Sequence, residues 1–158
     1  MTPMLTPLDR SQLRAAGVTE PWSYGIADMV RFYELDALNH VNNVAYLRWF
    51  ETVRVRYMID YGVSDFSHGA DTPQLVVRAA TAEYLKPMFQ NERYVVTART
   101  AQMRSASFTM EYAVFAGDLR ATGTAVVVMM TPDGGAKMPL PQQVRDTFVR
   151  RDHARQIT

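Results

Sequence analysis

The chain of 158 residues has no cysteine. That excludes disulfides, thiolate nucleophiles and cysteine metal sites together. Only three histidines occur, His40, His68 and His153, and they are too scattered to point to a bound metal. Charge of one sign is also missing. Lys and Arg number 17 against 16 Asp and Glu, for a net charge of +1, so no global field calls for nucleic acid or an anionic membrane surface. No apolar run approaches the roughly 18 residues of a membrane span. The opening MTPMLTPLDRSQLRAAG carries Asp9 and two prolines and lacks the apolar centre of a secretion signal. These absences lead to the expectation of a cytoplasmic protein with neither nucleic acid nor membrane as partner.

What is present is ordinary for a globular protein, 47% apolar and 21% charged residues. The length predicts one domain over 1–158, with 1–24 as a lead-in and 139–158 as a C-terminal extension. The most informative stretch is Arg31 to Tyr61. Its loop, Asp36 to Asn43, holds five polar side chains: Asp36, Asn39, His40, Asn42 and Asn43. A long helix follows, with Tyr46, Phe50, Val53 and Tyr57 in one narrow sector at about 100° per residue. Trp49 and Tyr61 flank this sector, and Leu47 and Met58 extend it. Val44, Val55 and Ile59 lie nearer the back, so most of the circumference is apolar and burial is expected. Arg54 falls within the apolar arc and is expected to pair with Glu51. Asn42 or Asn43 serves as N-cap and Gly62 as the C′ residue.

Outside this stretch the period changes. A strand is expected over Ile26 to Leu35, a short helical turn within SQLRAAGV, and four further strands. These cover Gln74 to Leu85, Arg93 to Arg104, Ser107 to Ala116 and Leu119 to Thr131, with turns at Lys86 to Glu92 and Gly117-Asp118. They are expected to run as an antiparallel meander, giving an α+β domain whose sheet curls around the helix and leaves an open edge for a second copy. Pro139 to Thr158, with four arginines, reads as a short solvated helix.

The run Asp36-Ala37-Leu38-Asn39-His40-Val41-Asn42-Asn43, followed by Tyr46, Glu51 and Arg54, resembles the signature of hotdog-fold acyl-CoA thioesterases. The hydroxybenzoyl-CoA thioesterase-like branch fits best. Tyr84-Leu85-Lys86-Pro87 and the strand after it add to the resemblance, which spans Met29 to Met130. It implies a curved antiparallel sheet wrapped around a central helix, and a homodimer or homotetramer with active sites between subunits. It also implies Asp36 as nucleophile or general base on an acyl-CoA thioester, with no retained cofactor or metal. The chain departs from the family pattern at Asn39, where glycine is usual. Asn tolerates left-handed backbone angles better than most residues, so the turn is expected to survive.

The helix N-terminus offers amides and the positive end of its dipole to a polarised carbonyl. The backbone N–H groups of Val41, Asn42 and Asn43 are the candidate donors. His40 is a second candidate acid–base group, though fixing the loop is its plainer role. Tyr46 is placed at the substrate, and Arg104 with Ser105 at a strand end are candidate contacts for a nucleotide phosphate. Three other functions use the same residues. One is hydrolysis of acyl groups on acyl carrier protein, for which the C-terminal arginines supply a basic face. Another is an enoyl-thioester hydratase, which uses an Asp with a His but lacks its Asn-Pro-x-His element here. The third is a thioester-binding module without turnover.

Overall fold

The computed structural model describes residues 2–157; Met1 and Thr158, the outermost residues of the lead-in and of the extension, lie outside it. The helix of the central stretch is α2 (Asn43–Asp60), preceded by α1 (Arg10–Ala15) and β1 (Gly25–Met29). The strands β2 (Gln74–Tyr84), β3 (Arg93–Met103), β4 (Ser107–Ala116) and β5 (Asp118–Met130) follow, then α3 (Gln142–Asp152) and a two-residue β6 (Arg155–Gln156).

The strand expected over Ile26 to Leu35 is corrected at its end. It stops at Met29, and Phe32–Glu34 form a 3₁₀ turn. Glu34 causes the change locally. Its Oε1 accepts the Arg31 N–H at 2.8 Å and its Oε2 accepts the Trp49 indole N–H at 2.6 Å, which turns the chain toward α2.

The meander is corrected too. The sheet order is β1-β3-β4-β5-β2, all antiparallel, so β2 pairs with β5 and not with β3. One side of β3 is taken by β1, from Gly25–Thr97 to Met29–Arg93, and the other by β4. β2 is thereby displaced to the opposite edge, and its residues are largely exposed.

α2 packs on one face of this sheet, which is the hotdog arrangement. Tyr46, Trp49, Phe50, Val53, Tyr57 and Met58 are buried. Each such side chain contributes about 1.5–3 kcal/mol by burial, against about 0–1 kcal/mol for a long ion pair with an exposed acid, such as Glu51–Arg54 at 3.8 Å. The stripe therefore fixes the helix, and the ion pair does not. Close approach depends on Gly123: a Cβ there would lie 2.4 Å from the Phe50 ring and 2.8 Å from the Thr81 carbonyl. Phe50 stacks on Tyr112 at 4.9 Å, and Trp49 on Tyr94 at 4.1 Å. The back of α2 stays uncovered. Val44, Leu47, Val55 and Ile59 are 37–49% exposed, and Leu47 does not extend the buried sector as expected, because the sheet reaches only the other side.

The solvated C-terminal helix is the third correction. α3 buries Val144, Phe148 and Asp152. Both carboxylate oxygens of Asp152 are used: Tyr57 donates to it at 2.5 Å, Tyr61 at 2.6 Å and the Thr100 N–H at 2.8 Å. The lead-in covers the other face of the sheet, where Leu8, Leu13 and Val18 pack on Ala27, Val95 and Phe115.

Candidate active site

The Asp36 loop is built by its own backbone. Asp36 N–H donates to the His40 carbonyl at 2.8 Å, and the Asn39 N–H donates to the Asp36 carbonyl at 3.1 Å. Asn39 carries φ +60°, so the asparagine takes the left-handed turn that glycine would otherwise supply. Asp36 Oδ1 accepts the N–H groups of Leu38 at 2.8 Å and His40 at 3.2 Å. That leaves Oδ2 without a hydrogen-bond partner among the described residues. The carboxylate is thus held by one oxygen and free at the other.

The start of α2 sorts the three candidate amides. Asn42 is the N-cap, its Oδ1 accepting the Val44 N–H at 3.0 Å. Val41 N–H is spent on the Met88 carbonyl at 2.8 Å, and Asn42 N–H on the Glu34 carbonyl at 2.7 Å. Both are withdrawn as carbonyl-polarising donors, because a donor already in a short linear bond has nothing left to offer. Asn43 N–H meets no acceptor among the described residues. It sits at the first helical position, where the dipole is most positive.

Asp36 and Asn43 line one open cleft of about 300 Å³ with His40, Val41, Tyr46 and the segment Tyr84 to Pro87. The Tyr46 hydroxyl is pushed up to about 12 by burial, so it stays protonated at neutral pH and can donate. The His40 ring rests edge-on against Phe89 at 5.2 Å. Arg104 and Ser105 are not part of this cleft. They sit in the β3–β4 turn, at the far end of a strand whose other end meets the Asp36 region through the Val30 N–H and the Glu92 carbonyl. β3, eleven residues long, spans about 33 Å from one end to the other.

Four contributors are missing from the sequence assignment of the site. Tyr84 donates to the Asn43 carbonyl at 3.1 Å and Lys86 lines the cleft. Their signal is the Tyr-Leu-Lys-Pro run, which shows a strand end and a turn but not what the turn faces. Glu34 and Arg120 act from behind the cleft and leave no local pattern. Among the described residues no group of three or more His, Asp or Glu is placed to hold a metal ion, and no helix is long and apolar enough to cross a membrane.

The hotdog sheet and helix thus bring a loop carboxylate with one free oxygen and a helix-terminal amide with no partner among the described residues to one cleft. Residues 30–148 match the family model described as the thioesterase-like superfamily, and the chain belongs to that family. A thioesterase superfamily protein from Jannaschia sp. CCS1 is 41% identical, with 98% of each chain covered and a TM-score of 0.92. A thioesterase from Thermus thermophilus, solved with coenzyme A and zinc, is 30% identical over 85% of this chain and 98% of that one, with a TM-score of 0.72. The YsmA protein of Bacillus subtilis (strain 168) is 26% identical over 122 residues, 76% of this chain and 81% of that protein.

Proposed function

We propose that the protein hydrolyses an acyl-CoA to the free acid and coenzyme A, with Asp36 as nucleophile or general base. One observation carries the reading: Asp36, whose Oδ2 has no partner among the described residues, and Asn43, whose N–H has none, line the same cleft. With the acyl carbonyl oxygen on the Asn43 N–H, negative charge developing there is stabilised by a fixed donor and by the helix dipole. As base, Asp36 takes a proton from water, the resulting hydroxide adds to the carbonyl carbon, and the C–S bond breaks to release the thiolate. As nucleophile, Oδ2 adds to that carbon, the thiolate leaves, and water cleaves the resulting anhydride. Tyr46 supplies a neutral donor in the cleft, and His40 holds the loop. The coenzyme A in the Thermus thermophilus relative supports coenzyme A as the leaving group.

The working form in this proposal is a homodimer. Among the described residues β2 has one side unpaired, Val76 and Val77 are exposed on it, and the back of α2 is uncovered as well. A second copy would cover both surfaces. It would also bring a different part of the sheet to the cleft, the one route by which Arg104 and Ser105 reach a substrate phosphate.

The test is thiol release from short, long and aromatic acyl-CoAs by wild type and Asp36→Asn. The expected result is a fall of about 10²–10⁴-fold in the variant, with acyl-CoA binding retained and a sedimenting mass of at least two chains. Equal rates would remove Asp36 from the chemistry. Turnover confined to acyl carrier protein substrates would replace coenzyme A as the carrier, and a fully active monomer would remove the second copy.

A further inference from the structure

The cleft wall from Tyr84 to Pro87 carries no secondary structure of its own beyond Tyr84, the end of β2. What fixes it is Arg120, on β5 behind the wall. The Arg120 carbonyl accepts two wall amides, Leu85 N–H at 2.9 Å and Lys86 N–H at 3.1 Å. Its guanidinium, 17% exposed, reaches forward and donates to the Pro87 carbonyl at 3.0 Å. The rest of the fork is taken by the Ala116 carbonyl at 3.1 Å, Asp118 at 2.6 Å and Glu92 at 3.0 Å. Asp118 in turn holds Lys86 of the wall at 2.6 Å. The carboxyl of Asp118 is lowered to about 2 by its bonds to Lys86 and Arg120, so both contacts persist through neutral pH.

The next peptide links this clamp to the site. Met88, fully buried, presents its carbonyl to the Val41 N–H at 2.8 Å. Val41 lies between His40, whose N–H holds Asp36 Oδ1, and the N-cap Asn42. The path from Arg120 to the Asp36 loop therefore spans a single residue, Met88: guanidinium to Pro87 carbonyl, Met88 carbonyl to Val41 N–H.

We infer that Arg120 is a positioning residue that sets the Pro87–Met88 peptide, and through it holds the Asp36 loop and the start of α2 at their working separation. Its planar fork satisfies two backbone carbonyls and two carboxylates at once. A lysine ammonium keeps the charge and cannot span those acceptors. The inference rests on the hydrolase reading for its kinetic consequence only; the backbone coupling stands apart from it.

Arg120→Gln and Arg120→Lys test the inference, with kinetics and amide hydrogen exchange read side by side. Expected in both variants are a fall in kcat of about tenfold to a hundredfold, the usual cost of a small misplacement, and a KM changed far less. The Val41 amide should exchange about tenfold faster while amides of β3 and β4 keep their protection. Rescue by lysine would reduce Arg120 to a charge and overturn the inference. So would unchanged Val41 exchange, or exchange raised equally throughout the sheet. If no thioester is turned over even by wild type, the hydrolase reading fails, and selective Val41 exchange still decides the coupling.

Discussion

The two ends of α2 solve the same physical problem in opposite ways. At the C-terminal end polar groups are buried and nearly all are matched. Tyr57, Tyr61 and the Thr100 N–H converge on Asp152, Tyr24 donates to Asp60 at 2.5 Å, and the Arg151 guanidinium covers the Tyr61 ring at 3.8 Å. At the N-terminal end the neighbours of the first helical residue are satisfied and that residue is not. Val41, Asn42 and Val44 have acceptors; Asn43 has none among the described residues. A buried polar group left unmatched costs about 1–3 kcal/mol, which the C-terminal end avoids by pairing; Asn43 is exposed, so its open N–H escapes that cost and, in the proposed mechanism, is available to a substrate carbonyl.

The strongest way to break that contrast is Asp152→Ala, which leaves the Tyr61 hydroxyl and the Thr100 N–H without their acceptor and Tyr57 with Thr100 Oγ1 alone, at 2.7 Å. Stability should fall by about 3 kcal/mol, or about 6–12 °C in Tm, while the kcat of the folded fraction holds; a matching loss of kcat would show that the two ends are not separable. The pH dependence follows from the same carboxylate. Burial raises the Asp152 carboxyl above the usual aspartate range, so the folded chain takes up this proton at a higher pH than the unfolded chain. The contribution is fully present below the unfolded value of about 3.8 and is lost as pH rises through the folded value. The margin of wild type over Asp152→Ala should therefore narrow as pH rises above about 3.8 in denaturant melts.

A smaller effect is expected from Trp49→Phe, which keeps most of the stack on Tyr94 and removes the donor that holds Glu34. A cost of about 1.5 kcal/mol should come with a kcat loss larger than the shift in Tm suggests, because the Glu34 carbonyl also receives the Asn42 N–H. An unaltered kcat would detach Glu34 from the site. The mildest change is Asn42→Ala. Losing the cap should cost about 1 kcal/mol, or about 2–4 °C, and it frees the Val44 N–H beside that of Asn43. Competition between the two amides should appear as a modest rise in KM.

The same contrast separates what the sequence disclosed from what it hid. Local features were legible: the aromatic sector of α2, a cap at Asn42 or Asn43, the Gly62 terminus with φ +72°, and an asparagine able to turn the Asp36 loop. Asp36, His40, Asn43 and Tyr46 lie close together along the chain, so their meeting at one cleft was legible too. Hidden were the facts fixed by distant partners. The amides of Val41 and Asn42 looked available until Met88 and Glu34 claimed them. Asp152 looked solvated until α3 folded onto Tyr57 and Tyr61. The place of β2 was undecidable from its own pattern, since alternation names a face and not a neighbour.

That displaced strand has a consequence for the order of assembly. β3, β4 and β5 join through tight turns and need only short loops to close, whereas β2 must find β5 across the intervening hairpins and β1 must find β3 across the whole of α2. Loop closure of that span is costly and slow. The cleft takes one wall from the segment after β1 and the other from the end of β2, so it is expected to form last, with no half-folded chain able to turn over substrate. Recovery of activity on refolding should then lag behind recovery of sheet signal.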